Sequence, residues 1–220
     1  MTKFKICGIK KACDGVTAAE SGADYLGFVF VENVRRQLPL SEAEQIIKEY
    51  RTKKEIGNPG IVGLFANQPL DFVNSVVRKC ELDFVQLCGD ETADFVLQID
   101  VPVIRQIKVL DYLPYTEALS DALRKIESAI LVSHLIILDK HVPGTLGGTG
   151  KTFNWAIAAE VARRYPILLA GGLDADNVTS AIKDVLPWGV DVSSGVETRG
   201  EKDMNKIKAF ASAVYTSSEN

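Results

Sequence analysis

The chain has 220 residues, 46% hydrophobic and 25% charged, an ordinary globular composition with enough apolar matter for one large core. Its net charge is −4 and it carries no Lys/Arg-rich run, which argues against nonspecific nucleic-acid binding but leaves room for a local basic site. The four cysteines (Cys7, Cys13, Cys80, Cys88) form no CxxC pair and only His134 and His141 are present, so no zinc site is expected.

The first residues, MTKFKICGIK, lack the apolar stretch of a signal peptide, and no transmembrane-length run follows. The expectation is a cytoplasmic protein with reduced thiols and no membrane partner. Short apolar runs then recur at FKIC (4–7), YLGFVF (25–30), IVGLF (61–65), FVQLC (84–88), VPVIRQIK (101–108), LIILD (135–139), ILLAG (167–171) and GVDVS (189–193). Nearly continuous apolarity suits strands covered on both faces, as in a parallel sheet.

Helical spacing separates these runs. In LSEAEQIIKEY, Ser41 and Glu44 read as a capping box, and Ala43, Ile46, Ile47 and Tyr50 form the apolar stripe. The stripe repeats in Phe72, Val73, Val76, Val77 and Cys80, then in Trp155, Ala158, Ala159 and Ala162 ahead of Pro166. It returns in Val178, Ala181, Ile182 and Val185, and in Met204, Ile207, Ala211 and Val214. Cys80 belongs to such a stripe, and Cys13, in the first helical segment, is expected to be structural too. Eight strand candidates alternating with helices fit a closed barrel or an open doubly wound sheet. The first turn, CGIKKAC, lacks the GxGxxG of a dinucleotide-binding sheet. A single-domain (β/α)8 barrel spanning 1–220 is therefore the expected fold.

Chemistry in such barrels gathers at the C-terminal ends of the strands. Here those ends carry Cys7, Arg35-Arg36, Cys88-Gly89-Asp90, Asp139, Gly171-Gly172 and Asp191-Ser193-Ser194. LAGGLDADNV places a glycine pair after a strand, with a helix expected to start near Asp174–Asp176. SSGVETRG offers Ser193, Ser194 and Gly195 after the eighth strand, and together the two loops suit a phosphate. GGTGKT at 147–152 is not a nucleotide P-loop, because two residues, not four, separate its first glycine from GKT; the segment reads as a cover over a pocket. Asp139 closes an apolar strand, where desolvation raises a carboxyl and makes it a candidate acid; a helix cap or salt bridge is the plainer alternative. A cysteine at position 7 is, from local sequence alone, more often a small buried hydrophobe than a catalyst. Lys5 shares strand parity with Cys7, so both face the same side, and Asp191 on the eighth strand is the expected partner of a buried Lys5.

These residues in order resemble the phosphoribosylanthranilate isomerases of tryptophan biosynthesis. The resemblance rests on KICG (5–8), GADYLGFVF (22–30) with Arg36, VGLF (62–65) and VQLCGDE (85–91). It continues through LD (138–139), GGTG (147–150), FNW (153–155), LAGGL (169–173) with Asn177-Val178, and GVDVSSGVE (189–197) followed by Gly200 and Lys202-Asp203. It implies a (β/α)8 barrel working without metal or cofactor, as a monomer or homodimer, on a small phosphorylated substrate. The implied roles are Cys7 as general base, Asp139 as general acid and Arg36 facing the anthranilate carboxylate. The phosphate falls to the loops of Gly171, Gly172, Ser193, Ser194 and Gly195, with Asp191 in the substrate site.

That chemistry requires a protonated Asp139 and an ionised Cys7. A free thiol near pKa ~8.5 is mostly protonated at neutral pH, so some lowering by Lys5 and the phosphate-site N–H groups is expected. Two positions depart from the family pattern: Cys88 stands where His is common, and Val34 where Ser is common two residues before the arginine. Arg35 beside Arg36 leaves open which of them meets the carboxylate. The rivals are another phosphate-binding barrel isomerase, which would need metal ligands or an aspartate pair, and a noncatalytic binder that keeps the barrel.

Overall fold

The computed structural model describes residues 1–53, 57–140 and 153–217. Its eight long strands are β1 (Lys3–Cys7), β2 (Tyr25–Val29), β3 (Gly60–Phe65), β4 (Phe84–Leu87), β5 (Val103–Val109), β6 (Leu135–Lys140), β7 (Ile167–Leu169) and β8 (Gly189–Val192). They pair in parallel in sequence order, and β8 returns to β1 with Lys5 opposite Asp191. The sheet is thus a closed barrel rather than an open one, and the near-continuous apolar runs have their cause. One face of each strand fills the barrel and the other meets helices.

Two apolar layers result. The inner one contains Val62, Leu64, Ile104, Leu135, Ile137 and Leu168, topped by Cys7, Cys88 and Ala170. The outer one joins strand residues such as Phe4, Ile6, Leu26 and Ile136 to the helices. Each such buried Ile, Leu or Phe side chain contributes about 1.5–3 kcal/mol relative to exposure.

The helices are α1 (Ala12–Glu20), α2 (Leu40–Arg51), α3 (Leu70–Cys80), α4 (Ala93–Val96), α5 (Tyr115–Ala129), α6 (Trp155–Ala162), α7 (Val178–Val185) and α8 (Met204–Ser217). The expected stripes of α2 and α7 are buried. Others differ at their edges: Phe72 and Met204 are exposed, and α6 buries Ile157, Ala158 and Val161 because its larger aliphatics lie on that side. The Ser41–Glu44 capping box does not form. Pro39 occupies the N-cap and Ser41 already lies within the helix; Pro69 and Pro114 open α3 and α5 in the same way. The helix after β7 starts at Val178, later than expected, because Asp174 and Asn177 first tie a turn together. Cys13 is exposed rather than structural.

After β8, a 3₁₀ turn (Ser194–Val196) leads into an antiparallel ribbon of β9 (Glu197–Thr198) and β10 (Glu201–Lys202). Arg199 and Gly200, both with positive φ, make its two-residue turn. Among the described residues no helix is long and apolar enough to cross a membrane.

Candidate active site

Strand alternation turns Lys5 and Cys7, Gln86 and Cys88, Gln106 and Lys108, Asp139, and Asp191 into the barrel at its C-terminal end. Lys5 has no solvent exposure, and its Nζ donates to Asp191 Oδ1 at 2.7 Å. The expected pair is therefore present. Burial alone would lower the Lys5 pKa, but Asp191 and Cys7 outweigh it and hold the ammonium protonated.

Cys7 is 5% exposed. Desolvation pushes its thiol up, Lys5 and Lys202 oppose this, and Asp191 adds to it; the outcome is a raised pKa. The lowering expected from the sequence is corrected here. The cations are in place, but burial and a neighbouring carboxylate outweigh them. Cys88 is likewise buried, with Gln86 Nε2 donating to its sulfur at 3.4 Å, and its thiol is pushed up to about 12. It remains an S–H group at any physiological pH.

Asp139 ends the inward face of β6. Desolvation, then the charge of Asp191, raise its carboxyl to about 6. Its Oδ2 accepts from Gln106 Nε2 at 2.8 Å and its Oδ1 from the Lys140 backbone N–H at 2.8 Å. The side chain caps no helix and makes no salt bridge among the described residues, which removes the plainer alternative for it.

The two arginines part company. Arg35 is half exposed and reaches the ribbon, donating to Gly200 O and Glu197 Oε2, both at 2.6 Å. Arg36 is largely covered and lies across the end of β1. A Cβ at Gly8, which has φ +82°, would sit 2.5 Å from Arg36 Cδ, so only glycine lets the arginine rest beside Cys7. Arg36 Nε and Nη2 donate to the two oxygens of Glu197 at 2.7 and 3.0 Å. Lys202 completes the cluster, donating to Glu197 Oε1 at 3.1 Å and Ser193 O at 2.9 Å.

The loops after β7 and β8 meet. Gly171 and Gly172 both take positive φ, and Asn177 Nδ2 holds Gly172 O at 2.9 Å. A Cβ at Gly195 would overlap the Leu173 carbonyl, so the two backbones can touch only through glycine. Among the described residues no acceptor takes the N–H groups of Gly172, Ser194 or Gly195. Ser193 does not face outward with them; its hydroxyl donates to Cys7 O at 3.0 Å and braces β8 against β1. Among the described residues no group of three or more His, Cys, Asp or Glu side chains is placed to hold a metal ion. The glycine-rich segment 147–152, expected as a cover, lies outside the described residues.

Glu197, Lys202, Gln86 and Gln106 were given no role by the sequence. For the glutamines a signal existed: each is polar at an inward position of an apolar strand. For Glu197 none did, since the two arginines it holds are more than 160 residues away and its near partner, Lys202, meets it only through the ribbon turn.

Comparison with known proteins gives the family and the fold. The profile of the N-(5'-phosphoribosyl)anthranilate (PRA) isomerase family matches residues 4–213. An N-(5'-phosphoribosyl)anthranilate isomerase of Geotalea uraniireducens is 43% identical over 96% of this chain and 97% of its own. One from Dehalococcoides mccartyi is 36% identical over 100% and 99%. The crystal structure of the Thermotoga maritima phosphoribosyl anthranilate isomerase superposes with a TM-score of 0.81 at 32% identity, covering 98% of this chain and 100% of that one. A phosphoribosyl anthranilate isomerase complexed with reduced 1-(o-carboxyphenylamino)-1-deoxyribulose 5-phosphate gives 0.79 at 30%, with the same coverage. By its profile, its full-length relatives and its barrel, this chain belongs to the N-(5'-phosphoribosyl)anthranilate isomerase family.

Proposed function

We propose that this chain carries out its family's reaction with Cys7 as general base and Asp139 as general acid. The reaction converts N-(5'-phosphoribosyl)anthranilate to 1-(2-carboxyphenylamino)-1-deoxyribulose 5-phosphate, an aldose-to-ketose isomerisation in tryptophan biosynthesis. The observation that carries the assignment is the pairing, at one barrel mouth, of an inward thiol beside a buried ammonium and an inward carboxyl raised to about 6.

Asp139 delivers its proton to the ribose ring oxygen, the ring opens, and the anthranilate nitrogen forms a Schiff base at C1′. The Cys7 thiolate then removes the proton from C2′ to give an enolamine, which takes a proton at C1′ as the 2′-hydroxyl becomes a ketone. No atom is gained or lost. Glycines 171, 172 and 195 with Ser194 present backbone N–H groups to the phosphate, Arg36 faces the anthranilate carboxylate, and Asp191 holds Lys5 beside the thiol.

The raised pKa values fit this scheme. In the resting site Cys7 is protonated and Asp139 mostly ionised near neutrality. The active form moves one proton from sulfur to carboxylate without changing net charge, so its share is constant between the two pKa values. The test is to mix the protein with N-(5'-phosphoribosyl)anthranilate and follow the anthranilate-type fluorescence. Rapid loss is expected; stable fluorescence with retained binding would make the chain a binder and overturn the assignment.

A further inference from the structure

We infer that Glu197 is the positioning residue that aims Arg36 at the substrate's aromatic carboxylate. The inference rests on the reading of Arg36 as the group that meets that carboxylate.

Glu197 is nearly covered, its side chain 5% exposed, and three cations converge on it: Arg35, Arg36 and Lys202. Hydrogen bonds and charge from these partners overcome its burial and hold its carboxyl at about 2. It is therefore a permanent anion. One carboxylate facing three cations leaves this cluster with an excess of two positive charges, a surplus suited to an anionic substrate nearby.

The geometry gives this anion a direction. Glu197 grips the Nε–Nη2 edge of Arg36 with one oxygen on each nitrogen. A planar guanidinium held along one edge presents its remaining N–H groups, on Nη1 and the outer side of Nη2, away from that edge. The aliphatic stem is fixed independently where it crosses Gly8, next to Cys7. Stem and fork together leave Arg36 little rotational freedom. Arg35 shares Glu197 but spends its other arm on Gly200 O, so it braces the ribbon instead of reaching the site. The backbone carbonyl of Glu197 is itself anchored by Lys206 Nζ at 2.8 Å. A flexible arginine would lose orientation on binding each substrate; one already gripped does not.

The test compares affinity for two ligands: reduced 1-(o-carboxyphenylamino)-1-deoxyribulose 5-phosphate and its phenylamino counterpart without the carboxylate. Their ratio isolates the carboxylate's contribution. Arg36→Met should abolish the preference. Glu197→Gln should reduce it by about tenfold or more and raise KM, with kcat changed less than about threefold. Glu197→Asp, which keeps the charge but withdraws it by one methylene, should show the same loss in smaller measure, and it serves if Glu197→Gln does not fold. Arg35→Met should leave the preference nearly intact, separating aim from ribbon stability. If Arg36→Met removes the preference while both Glu197 variants retain it, the positioning role is overturned and the Arg36 reading stands. If Arg36→Met retains the preference, the Arg36 reading fails and the inference with it.

Discussion

The two sides of the barrel mouth are built from different materials. Around β1, β8 and the ribbon, the reacting groups are surrounded by charge: Lys5 with Asp191, and Arg36, Arg35 and Lys202 with Glu197. Around β4, β5 and β6, the side chains that hydrogen-bond to the inward groups are neutral, Gln106 on Asp139 and Gln86 on Cys88. The one cation opposite Asp139 in the register, Lys108, pulls its carboxyl down less than burial and Asp191 push it up. The difference follows from what each side must hold. In the proposed mechanism a thiolate and two substrate anions need cations within reach, whereas a carboxyl whose pKa must stay raised tolerates no direct ion pair. An arginine in place of Gln106 would drive Asp139 far below 6 and remove the acid.

The largest effects should come from removing the two proton carriers. Cys7→Ala and Asp139→Asn should each lower kcat by about 10²–10⁴-fold in a steady-state fluorescence assay, with KM little changed. A variant that kept most of its activity would dissolve the contrast between a base side and an acid side.

Breaking the charged side should cost stability as well. Lys5→Met leaves Asp191 as a buried carboxylate without its cation, and denaturant unfolding should show a loss of about 3–5 kcal/mol. On the neutral side the change is small. Gln106→Ala removes a donor that favours ionised Asp139, so the pH at which this carboxyl titrates should move slightly upward. If Lys5→Met and Gln106→Ala destabilised the fold equally, the two sides would not differ in the way described.

Much of the charged side was legible in the sequence. The parity of Lys5 and Cys7 along one strand, and the single acid in GVDVS, pointed to a buried pair that the barrel register then brings together. The strands themselves were readable because a parallel barrel buries both faces. The helix starts were not: a serine followed by a glutamate three residues on resembles a cap, but Pro39 holds that position and sets the extended entry. The Cys7 pKa was misjudged because sequence lists the nearby cations but not the desolvation that outweighs them. Glu197 was invisible for a related reason. Its meaning lies in three partners that only the closed barrel and the turn at Arg199-Gly200 bring to one point.

The central claim is that Asp139 supplies a proton that the isomerisation uses. The direct measurement is the ratio of kcat/KM for the wild type to that for Asp139→Asn across pH 4.5–8.5, roughly the range over which a carboxyl near 6 changes charge. The substrate's phosphate and Cys7 titrate in both enzymes and cancel in the ratio, leaving the protonated fraction of Asp139 alone. Because that fraction is complete below the raised pKa and lost above it, the ratio should be level below about pH 6 and fall tenfold per pH unit beyond it. A ratio that does not change with pH, or one close to unity throughout, would contradict the account.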